Sequence, residues 1–509
     1  MPRPPGRGAA RRWVGSHLVT TRPAAVIVLA AGEGTRMRSA IPKVLHTIGG
    51  RSLLGHAMHA ARGCEPMRLV VVVRHERERV AAHIAEHDPD CLIADQDEIK
   101  GTGRAVECGL SVLPADLQGT VVVTCGDVPL LTPETLRELV TAHEASHAAV
   151  TVVTSRVPDP AGYGRIVRGA DGAVERIVEH KDATAAEQAI DEINSGIYAF
   201  ESELLRAALA EIDGDNAQGE RYLTDVVAIA RAKGRDVAAH LLADLWQTEG
   251  INDKAQLARI GAELNRRTVD ALMRGGAIVV DPATTWVDTD VTVGEDTVIR
   301  PNTQLLGATS IGARCEIGPD TTLVDCEIDD DATVVRSQAE LALIGPGATV
   351  GPFSYLRPGT ELGAKGKIGG FVETKNARIA SGAKVPHLTY CGDATIGEGA
   401  NIGAGTIFAN YDGVTKSHTT VGAHSFVGSD SVLVAPVTIA DGAYVAAGST
   451  VTTDVGPGEL AVGRAQQRTV PGWVARRRAG SKTAAAAEAA LTAQAATRHT
   501  GSEGEGTGA

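Results

Sequence analysis

An aliphatic side chain falls on every sixth residue over long stretches of the second half of the chain. A helix would repeat near 3.6 residues and a strand every two, so neither element explains this period. A six-residue period in which Gly often follows the aliphatic residue indicates the stacked coils of a parallel β-helix. The three runs are Val293, Ile299, Leu305, Ile311, Ile317 and Leu323; Ile344, Val350, Leu356, Leu362 and Ile368; and Val421, Val427, Leu433, Ile439, Val445 and Val451.

The first half of the chain has a different pattern. Short apolar segments at 25–30, 69–73, 120–124 and 150–153 alternate with helical stretches such as 132–143. Such an alternation predicts an α/β domain with a mostly parallel sheet between helices.

These patterns, together with the two polar ends, divide the chain into five parts. The first 22 residues contain five Arg, no acidic residue and no apolar run of the kind a secretory signal needs. After Trp473 a basic patch leads into a tail that lacks core-forming residues. We predict a disordered extension over 1–22, an α/β domain over 24–250, a helical linker over 251–275, a β-helix over 276–470, and a basic patch with a disordered tail over 471–509.

Composition narrows the classes of function. A net charge of −13 argues against a general nucleic-acid binder, which would need a basic face. No apolar run reaches the roughly 18 residues that span a bilayer, so we expect no membrane insertion. The seven cysteines are scattered and form no Cys-x-x-Cys pair, which is typical of the reducing cytoplasm.

The first candidate site is a glycine-containing loop after the first apolar segment, running from Leu29 through Gly32 and Gly34 to Met37. Glycines at the end of a strand let backbone N–H groups approach phosphate oxygens, and Arg36 and Lys43 add positive charge. A dinucleotide fingerprint would need a third Gly where Met37 stands, and no Gly-Lys-Ser/Thr of a P-loop is present. The loop therefore predicts a phosphate site of another kind.

This loop, with Pro42-Lys43, resembles the signature of the sugar nucleotidyltransferases. Further segments agree in order and spacing: Gln96 with Gly101-Thr102, Cys125-Gly126-Asp127-Val128-Pro129, Gly162-Tyr163-Gly164-Arg165, Glu179-His180-Lys181, Asn194-Ser195-Gly196, and Asn252. From about residue 24 to 470 the chain resembles the family of bifunctional N-acetylglucosamine-1-phosphate uridyltransferases/glucosamine-1-phosphate N-acetyltransferases. The fold that this implies is a Rossmann-like nucleotidyltransferase domain followed by a left-handed parallel β-helix of hexapeptide repeats.

The resemblance implies that the first half transfers a uridylyl group from UTP to N-acetylglucosamine 1-phosphate and releases pyrophosphate. Such chemistry is mostly positioning and charge neutralisation, so we expect Mg²⁺, with Asp127 at a strand end and Asn252 as ligands. Arg36 and Lys43 would assist catalysis. Arg104 stands where the family pattern has His. The residues implied for nucleotide and sugar are Leu29, Ala30, Ala31, Gly32, Lys43, Gln96, Gly101, Thr102, Gly164, Glu179, Asn194 and Asn252.

The second candidate site lies where the six-residue period fails, between Ile368 and Ile396 and again between Phe408 and Val421. Segments there match the acetyltransferase half of the family, which would acetylate glucosamine 1-phosphate from acetyl-CoA. The sugar amine must lose a proton before it attacks, and His, with an ordinary pKa of about 6.5, suits that task, so we predict His387 as general base. The resemblance implies Arg357, Lys375, Tyr390 and Asn401 for the sugar phosphate, and Ala404, Asn410, Tyr411, Ser429, Ala447 and Arg464 for acetyl-CoA. It also implies a homotrimer with acetyl-transfer sites between subunits.

The sequence is compatible with two other functions. A pyrophosphorylase with one activity and a regulatory β-helix would not need His387, Tyr390, Asn410 and Tyr411. A β-helix that only oligomerises or binds partners would release no CoA thiol in the presence of glucosamine 1-phosphate. The bifunctional hypothesis predicts UDP-N-acetylglucosamine, a cell-wall precursor, from glucosamine 1-phosphate, acetyl-CoA, UTP and Mg²⁺ together.

Overall fold

The computed structural model describes residues 22–501. The extension predicted over 1–22 therefore lies, apart from Arg22, outside the described residues, and so does the end of the predicted tail, 502–509.

The first half is a nine-stranded sheet covered by helices on both faces. The strands are β1 Ala25–Leu29, β4 Leu69–Val73, β5 Leu92–Asp95, β6 Thr120–Cys125, β7 Val150–Arg156, β8 Arg165–Arg168, β9 Val174–Val178, β10 Glu192–Glu201 and β11 Val237–Leu241, while β2 Thr47–Ile48 and β3 Arg51–Ser52 form a separate hairpin. The helices are α1 Leu53–Gly63, α2 Arg77–His87, α3 Thr102–Ser111, α4 Pro133–Ser146, α5 Ala185–Gln188, α6 Ser202–Leu209 and α7 Asp225–Ala232. Three short 3₁₀ turns cover Thr35–Met37, Lys43–Leu45 and Leu245–Thr248.

The predicted parallel sheet is confirmed where the phosphate loop begins and differs farther along. The main path of the sheet is β11-β7-β10-β6-β1-β4-β5, and β1 is parallel to both β4 and β6. Strand β10, in contrast, is antiparallel to both of its neighbours, β6 and β7. The ends of β1 and β6 lie side by side, with Leu29 paired to Cys125. Loops after both strands therefore open at one edge of the sheet, where ligands of α/β proteins usually bind.

The predicted linker helix is α8, Lys254–Arg274. The Asp253 side chain accepts a hydrogen bond from the backbone N–H of Gln256 and so begins the helix three residues later than the pattern suggested. Its Leu257, Ile260 and Leu264 pack with Ile251 against the first domain. Leu272 and Met273, near the other end, pack on the core of the second domain.

The second half is a parallel β-helix with two long sheets, of 11 and 17 strands. The 11-stranded sheet contains Ile278–Val279, Val298–Ile299, Glu316–Ile317, Thr333–Val334, Thr349–Val350, Lys367–Gly370, Lys384–His387, Asn401–Ile402, Phe426–Val427, Tyr444–Val445 and Leu460–Ala461. The 17-stranded sheet contains Trp286–Val287, Thr292–Val293, Thr303–Leu306, Ser310–Ile311, Thr321–Val324, Glu327–Ile328, Gln338–Glu340, Ala342–Ile344, Tyr355–Leu356, Thr360–Leu362, Glu373–Ile379, Tyr390–Ile396, Ile407–Ala409, Thr419–Val421, Val432–Val434, Val437–Ile439 and Thr450–Val451. The left-handed sense of the coil stays a prediction.

The six-residue aliphatic runs are confirmed as the core of the β-helix, since all of them are buried there except Val293, which is partly buried. The predicted failure of the period between 368 and 396 is wrong in part. Thr374 and Cys391, both fully buried, fill interior positions in that stretch, and steps of five residues such as Thr374 to Ile379 replace steps of six. A pattern that counts only aliphatic residues misses them because Thr and Cys are small enough to pack inside the coil. The gap of thirteen residues between Phe408 and Val421 does hold a protruding loop, 410–418.

The tail differs from the sequence prediction. The predicted basic patch contains α9, Trp473–Arg477, and the tail predicted to be disordered from residue 480 onward forms α10, Lys482–Gly501. The segment of α10 forms a helix because it is rich in Ala, the residue with the highest helix propensity. None of the residues 462–496 is buried, so this part of the tail adds nothing to the core. No helix within 22–501 has the length and apolar character required to cross a membrane.

Candidate active sites

The phosphate loop leaves the end of β1 and is fixed by close packing. Gly34 has a φ of 62°, and a Cβ there would lie 2.5 Å from the Cβ of Lys43, so only Gly lets the loop approach that residue. Met37 is buried in a small core with Leu53 and Ile251. The Met at the position of a third Gly therefore anchors the loop to the body of the domain.

The two predicted metal ligands, Asp127 and Asn252, both contact the ammonium group of Lys43. Lys43 Nζ lies 2.5 Å from Asp127 Oδ2 and 3.5 Å from Asn252 Oδ1. Arg36 Nη2 donates to the same Asn252 oxygen over 2.8 Å. The backbone N–H of Ile251 donates to the Asp127 carbonyl over 3.0 Å and holds the two segments together. A carboxylate and an amide oxygen around one cation form a donor set of the kind that Mg²⁺ prefers, with the ammonium as stand-in.

These groups border a cavity of about 490 Å³ at the predicted edge of the sheet. Eleven of the residues predicted for nucleotide, metal or catalysis line it, namely Leu29, Ala30, Ala31, Gly32, Arg36, Lys43, Gln96, Gly101, Thr102, Asp127 and Asn252. Sequence reasoning missed Arg74 and Lys100, which bring further positive charge to the same cavity. Arg74 directly follows β4, so its place at this edge of a parallel sheet was a usable signal.

Gly164, Glu179 and Asn194, which the resemblance implies for the sugar, do not line this cavity and form a neighbouring cluster. The backbone N–H of Asn194 donates to the Gly164 carbonyl over 2.9 Å, and Thr224 Oγ1 donates to Glu179 Oε1 over 3.3 Å. Burial raises the pKa of the Glu179 carboxyl above its ordinary value, although the Thr224 hydroxyl opposes the shift. The Gly196 N–H donates to Asn194 Oδ1 over 3.0 Å, and the Gly196 carbonyl lies 4.0 Å from Sγ of Cys125, which lines the cavity, so the cluster adjoins it.

Three of the four predicted sugar-phosphate residues lie in or directly after strands of the 17-stranded sheet, namely Arg357, Lys375 and Tyr390, and we call these three residues the sugar-phosphate group. Arg357 Nη1 contacts Glu373 Oε1 at 3.0 Å, and the next coil carries Lys375 opposite Gly392. Asn410 Nδ2 lies 2.5 Å from Asp393 Oδ2 and 3.5 Å from the Tyr390 hydroxyl. Asn410, which the resemblance assigns to acetyl-CoA, thus contacts this group.

The loop 410–418 adds a cation that the sequence did not suggest. Tyr411 pairs with Lys416 across the loop, and the Asp412 carboxylate accepts from the backbone N–H groups of Val414 and Thr415 over 2.8 and 2.6 Å. Lys416 lies against Lys375, and this neighbouring ammonium lowers the pKa of Lys375. An anion such as a phosphate would relieve the repulsion between the two lysines.

The predicted general base and most predicted acetyl-CoA residues follow one edge of the β-helix instead. His387 accepts at its carbonyl from the N–H of Gly405, Ala404 from Asp430, and Ser429 from Gly448, over 3.2, 2.7 and 2.8 Å. A Cβ on Gly448 would lie 3.9 Å from Arg464 Cδ, and Gly428 leaves no room for a Cβ beside Ala447. Asn401 lies between Lys384 and Phe426 on the 11-stranded sheet. Within residues 22–501, no side-chain hydrogen bond or ion pair joins this edge to the sugar-phosphate group.

Two family models match the chain. Residues 26–234 match the MobA-like NTP transferase domain, and residues 418–453 match the bacterial transferase hexapeptide of six repeats.

Similar proteins cover both halves of the chain. The "Bifunctional protein GlmU" of Mycolicibacterium gilvum is 58% identical over 92% of this chain and 94% of its own length. The protein of the same name from Pseudarthrobacter chlorophenolicus is 57% identical over 95% of this chain and 99% of its own. The protein of the same name from Corynebacterium glutamicum is 57% identical over 92% of this chain and 97% of its own length.

Proposed function

The chain belongs to the family of the bifunctional protein GlmU, and from that premise we propose how its residues divide the two reactions. It is a nucleotidyltransferase and a hexapeptide acetyltransferase of UDP-N-acetylglucosamine synthesis. The similarity extends over both the nucleotidyltransferase half and the β-helix. It therefore favours neither a pyrophosphorylase with one activity nor a β-helix that only oligomerises or binds partners. UTP and acetyl-CoA are its family's substrates.

In the first domain, we assign uridylyl transfer to the cavity around Lys43. A phosphate oxygen of N-acetylglucosamine 1-phosphate attacks the α-phosphorus of UTP, the bond from that phosphorus to the β-phosphate oxygen breaks, and pyrophosphate leaves. Backbone N–H groups of the loop 29–34, with Arg36 and Lys43, bind the phosphates and offset their charge. Asp127 and Asn252 would hold Mg²⁺, which supplies further neutralisation of the phosphate charges when bound. The cluster of Gly164, Glu179 and Asn194 would bind the sugar.

In the β-helix, we assign acetyl transfer to His387. Its imidazole takes a proton from the ammonium of glucosamine 1-phosphate, the amine nitrogen attacks the thioester carbon of acetyl-CoA, and the carbon–sulfur bond breaks to release the CoA thiol. Arg357 and Lys375 would bind the sugar phosphate, with Lys416 beside them. Tyr390 and Asn401 would orient the sugar, and the hydroxyl of Ser429 would donate to the developing oxyanion.

The proposal includes a homotrimer. No side-chain hydrogen bond or ion pair within residues 22–501 joins the sugar-phosphate group to the edge with His387, and we propose that a neighbouring chain completes each acetyl-transfer site. Phe353 and Phe371 stack at 5.3 Å between ring centres while 54% and 63% exposed, and Leu388 beside them is 61% exposed. Such an exposed apolar ridge is typical of an interface, and a closed threefold arrangement would bury it. A cytoplasmic location is also proposed, supported by seven unpaired cysteines.

The observation that carries the nucleotidyl assignment is the Lys43 ammonium between Asp127 and Asn252 inside the cavity. A coupled assay tests both halves, because UDP-N-acetylglucosamine should form only when glucosamine 1-phosphate, acetyl-CoA, UTP and Mg²⁺ are all present. His387→Ala should abolish this product, and added N-acetylglucosamine 1-phosphate should restore it. Asp127→Ala should abolish UTP turnover and leave CoA release unchanged. Intact acetyl transfer in the His387 variant, or intact UTP turnover in the Asp127 variant, would refute the respective assignment.

A further inference from the structure

Arg104 departs from the family pattern, and the structure gives it two acidic partners. It lies in the first turn of α3 with 23% of its side chain exposed. Its Nη2 lies 2.5 Å and its Nε 3.1 Å from Asp97 Oδ2, while Nη1 lies 2.6 Å from Glu107 Oε2. The guanidinium therefore bridges two carboxylates and does not line the nucleotide cavity.

The same Glu107 oxygen also contacts Arg221 Nη1 at 3.2 Å. We call the chain of Asp97, Arg104, Glu107 and Arg221 the Arg104 bridge. Backbone contacts reinforce it, since Arg221 donates to the Lys100 carbonyl over 3.0 Å and accepts from Gly103 over 2.8 Å. A Cβ on Gly101 would lie 2.2 Å from the Arg221 carbonyl oxygen, so the two segments touch.

The Arg104 bridge joins two segments that border the candidate nucleotide cavity. On one side is the loop 96–101, whose Gln96 and Gly101 line the cavity. On the other side is the segment 220–224, in which Glu220 lines the cavity and Thr224 bonds to Glu179 of the sugar cluster. Movement of the loop would therefore change the geometry at the nucleotide.

Hydrogen bonds within the loop 96–101 fix the orientation of the Gln96 side-chain amide. Its Nε2 donates to the carbonyls of Ile99 and Gly101 over 3.0 and 3.3 Å, so both amide hydrogens are engaged. The Oε1 atom is left as an acceptor. The N3–H of uracil can donate to it, whereas cytosine has no hydrogen on N3. A site built around such a bond rejects the base that lacks the donor.

Resting on the proposed uridylyl transfer, we propose that Arg104 is a positioning residue that holds the loop 96–101 so that Gln96 selects uracil over cytosine. The planar guanidinium suits this role because it makes several bonds in one fixed geometry, which a lysine does not. The bond from Arg104 also lowers the pKa of Asp97 and keeps that partner charged.

The test is Arg104→Gln assayed with UTP and with CTP as the alternative nucleotide. We expect the ratio of kcat/KM for UTP to that for CTP to fall about tenfold, the scale expected when hydrogen bonds to charged groups are lost. The KM for UTP should rise while the KM for N-acetylglucosamine 1-phosphate stays near the wild-type value. Arg274→Gln is the matched control, because it removes an ion pair with Asp270 on the exposed side of α8.

Two further variants keep the test decisive if Arg104→Gln folds poorly. Glu107→Gln removes the carboxylate in the middle of the Arg104 bridge, and Arg104→Lys keeps the positive charge but removes the planar guanidinium. Both variants should therefore discriminate less between UTP and CTP than the wild type. Wild-type discrimination in all three variants, or an equal loss for UTP and CTP that follows the melting temperature, would overturn the proposal. Absence of UTP turnover in the wild-type protein would instead contradict the proposed function, so the two failures are distinguishable.

Discussion

Asn252 shows how one polar atom positions the cationic side chains of the nucleotide cavity. Its Oδ1 accepts from Arg36 over 2.8 Å and lies 3.5 Å from the Lys43 ammonium. Asn252→Ala should raise the Mg²⁺ concentration for half-maximal uridylyl transfer at least about tenfold, since the donor set loses an oxygen. Asn302→Ala, which removes a bond to Asp320 on the β-helix, is the control. An unchanged Mg²⁺ titration would show that Asn252 is not a ligand.

A buried histidine makes the first domain sensitive to acid. His56 is 6% exposed, its Nε2 lies 2.9 Å from the Ile48 carbonyl, and burial lowers its pKa from 6.5 to about 4. Between these values the unfolded chain binds a proton that the native chain does not, so the free energy of unfolding falls as the pH falls.

Between pH 7 and pH 4.5, the free energy of unfolding should therefore fall by about 2 to 3 kcal/mol less in His56→Gln than in the wild type. Urea unfolding of the first domain at several pH values measures the difference. His75→Gln, at an exposed position, should show the wild-type dependence. Identical slopes for His56→Gln and wild type would contradict the assignment.

At the scale of elements, the sequence predicts what depends on local pattern and misses what depends on packing. The period of six predicts the β-helix because each coil must bury one side chain per face. It does not predict that Thr374 and Cys391 continue the core, since both look polar or neutral in a pattern of aliphatics. Nor does it place Lys416 against Lys375, because that contact depends on how the loop 410–418 folds back.

Family signatures predict which residues belong to the first site, but they do not predict which of these residues lie together in the structure. Eleven predicted residues meet in one cavity because parallel strands bring their ends together. The antiparallel β10, which carries Asn194, was not foreseen, and neither was the separation of the sugar cluster from that cavity.

Close stacking of coils makes one glycine critical for the second site. A Cβ on Gly428 would lie 2.4 Å from the Ala447 nitrogen, and the position precedes Ser429. Gly428→Ala should separate two coils, lower the melting temperature and abolish acetyl transfer, while uridylyl transfer stays intact. Gly275→Ala is the control, since its nearest neighbours are 3.4 Å away and its φ is −79°. Wild-type acetyl transfer by Gly428→Ala would mean that the coil spacing tolerates a methyl group.

For the whole molecule, the proposed trimer predicts that the two activities respond differently to dilution. The assembly should have about three times the 52.7 kDa mass of the chain, as measured by light scattering. Acetyl transfer should fall when the assembly dissociates, because its residues would come from two chains. Uridylyl transfer should persist, since Lys43, Asp127 and Asn252 meet within one chain. A monomer with full acetyl transfer would contradict the trimer.

The linker helix has a consequence beyond connection. Stacked parallel coils end in a row of unpaired N–H and C=O groups, an edge on which another chain can polymerise. Asn265 of α8 occupies part of that edge, donating to the Thr285 carbonyl and accepting from the Val287 N–H, each over 2.8 Å. Leu272 and Met273 cover the adjoining core. The helix therefore covers this end of the β-helix, and we expect a β-helix that lacks α8 to associate end to end into fibres.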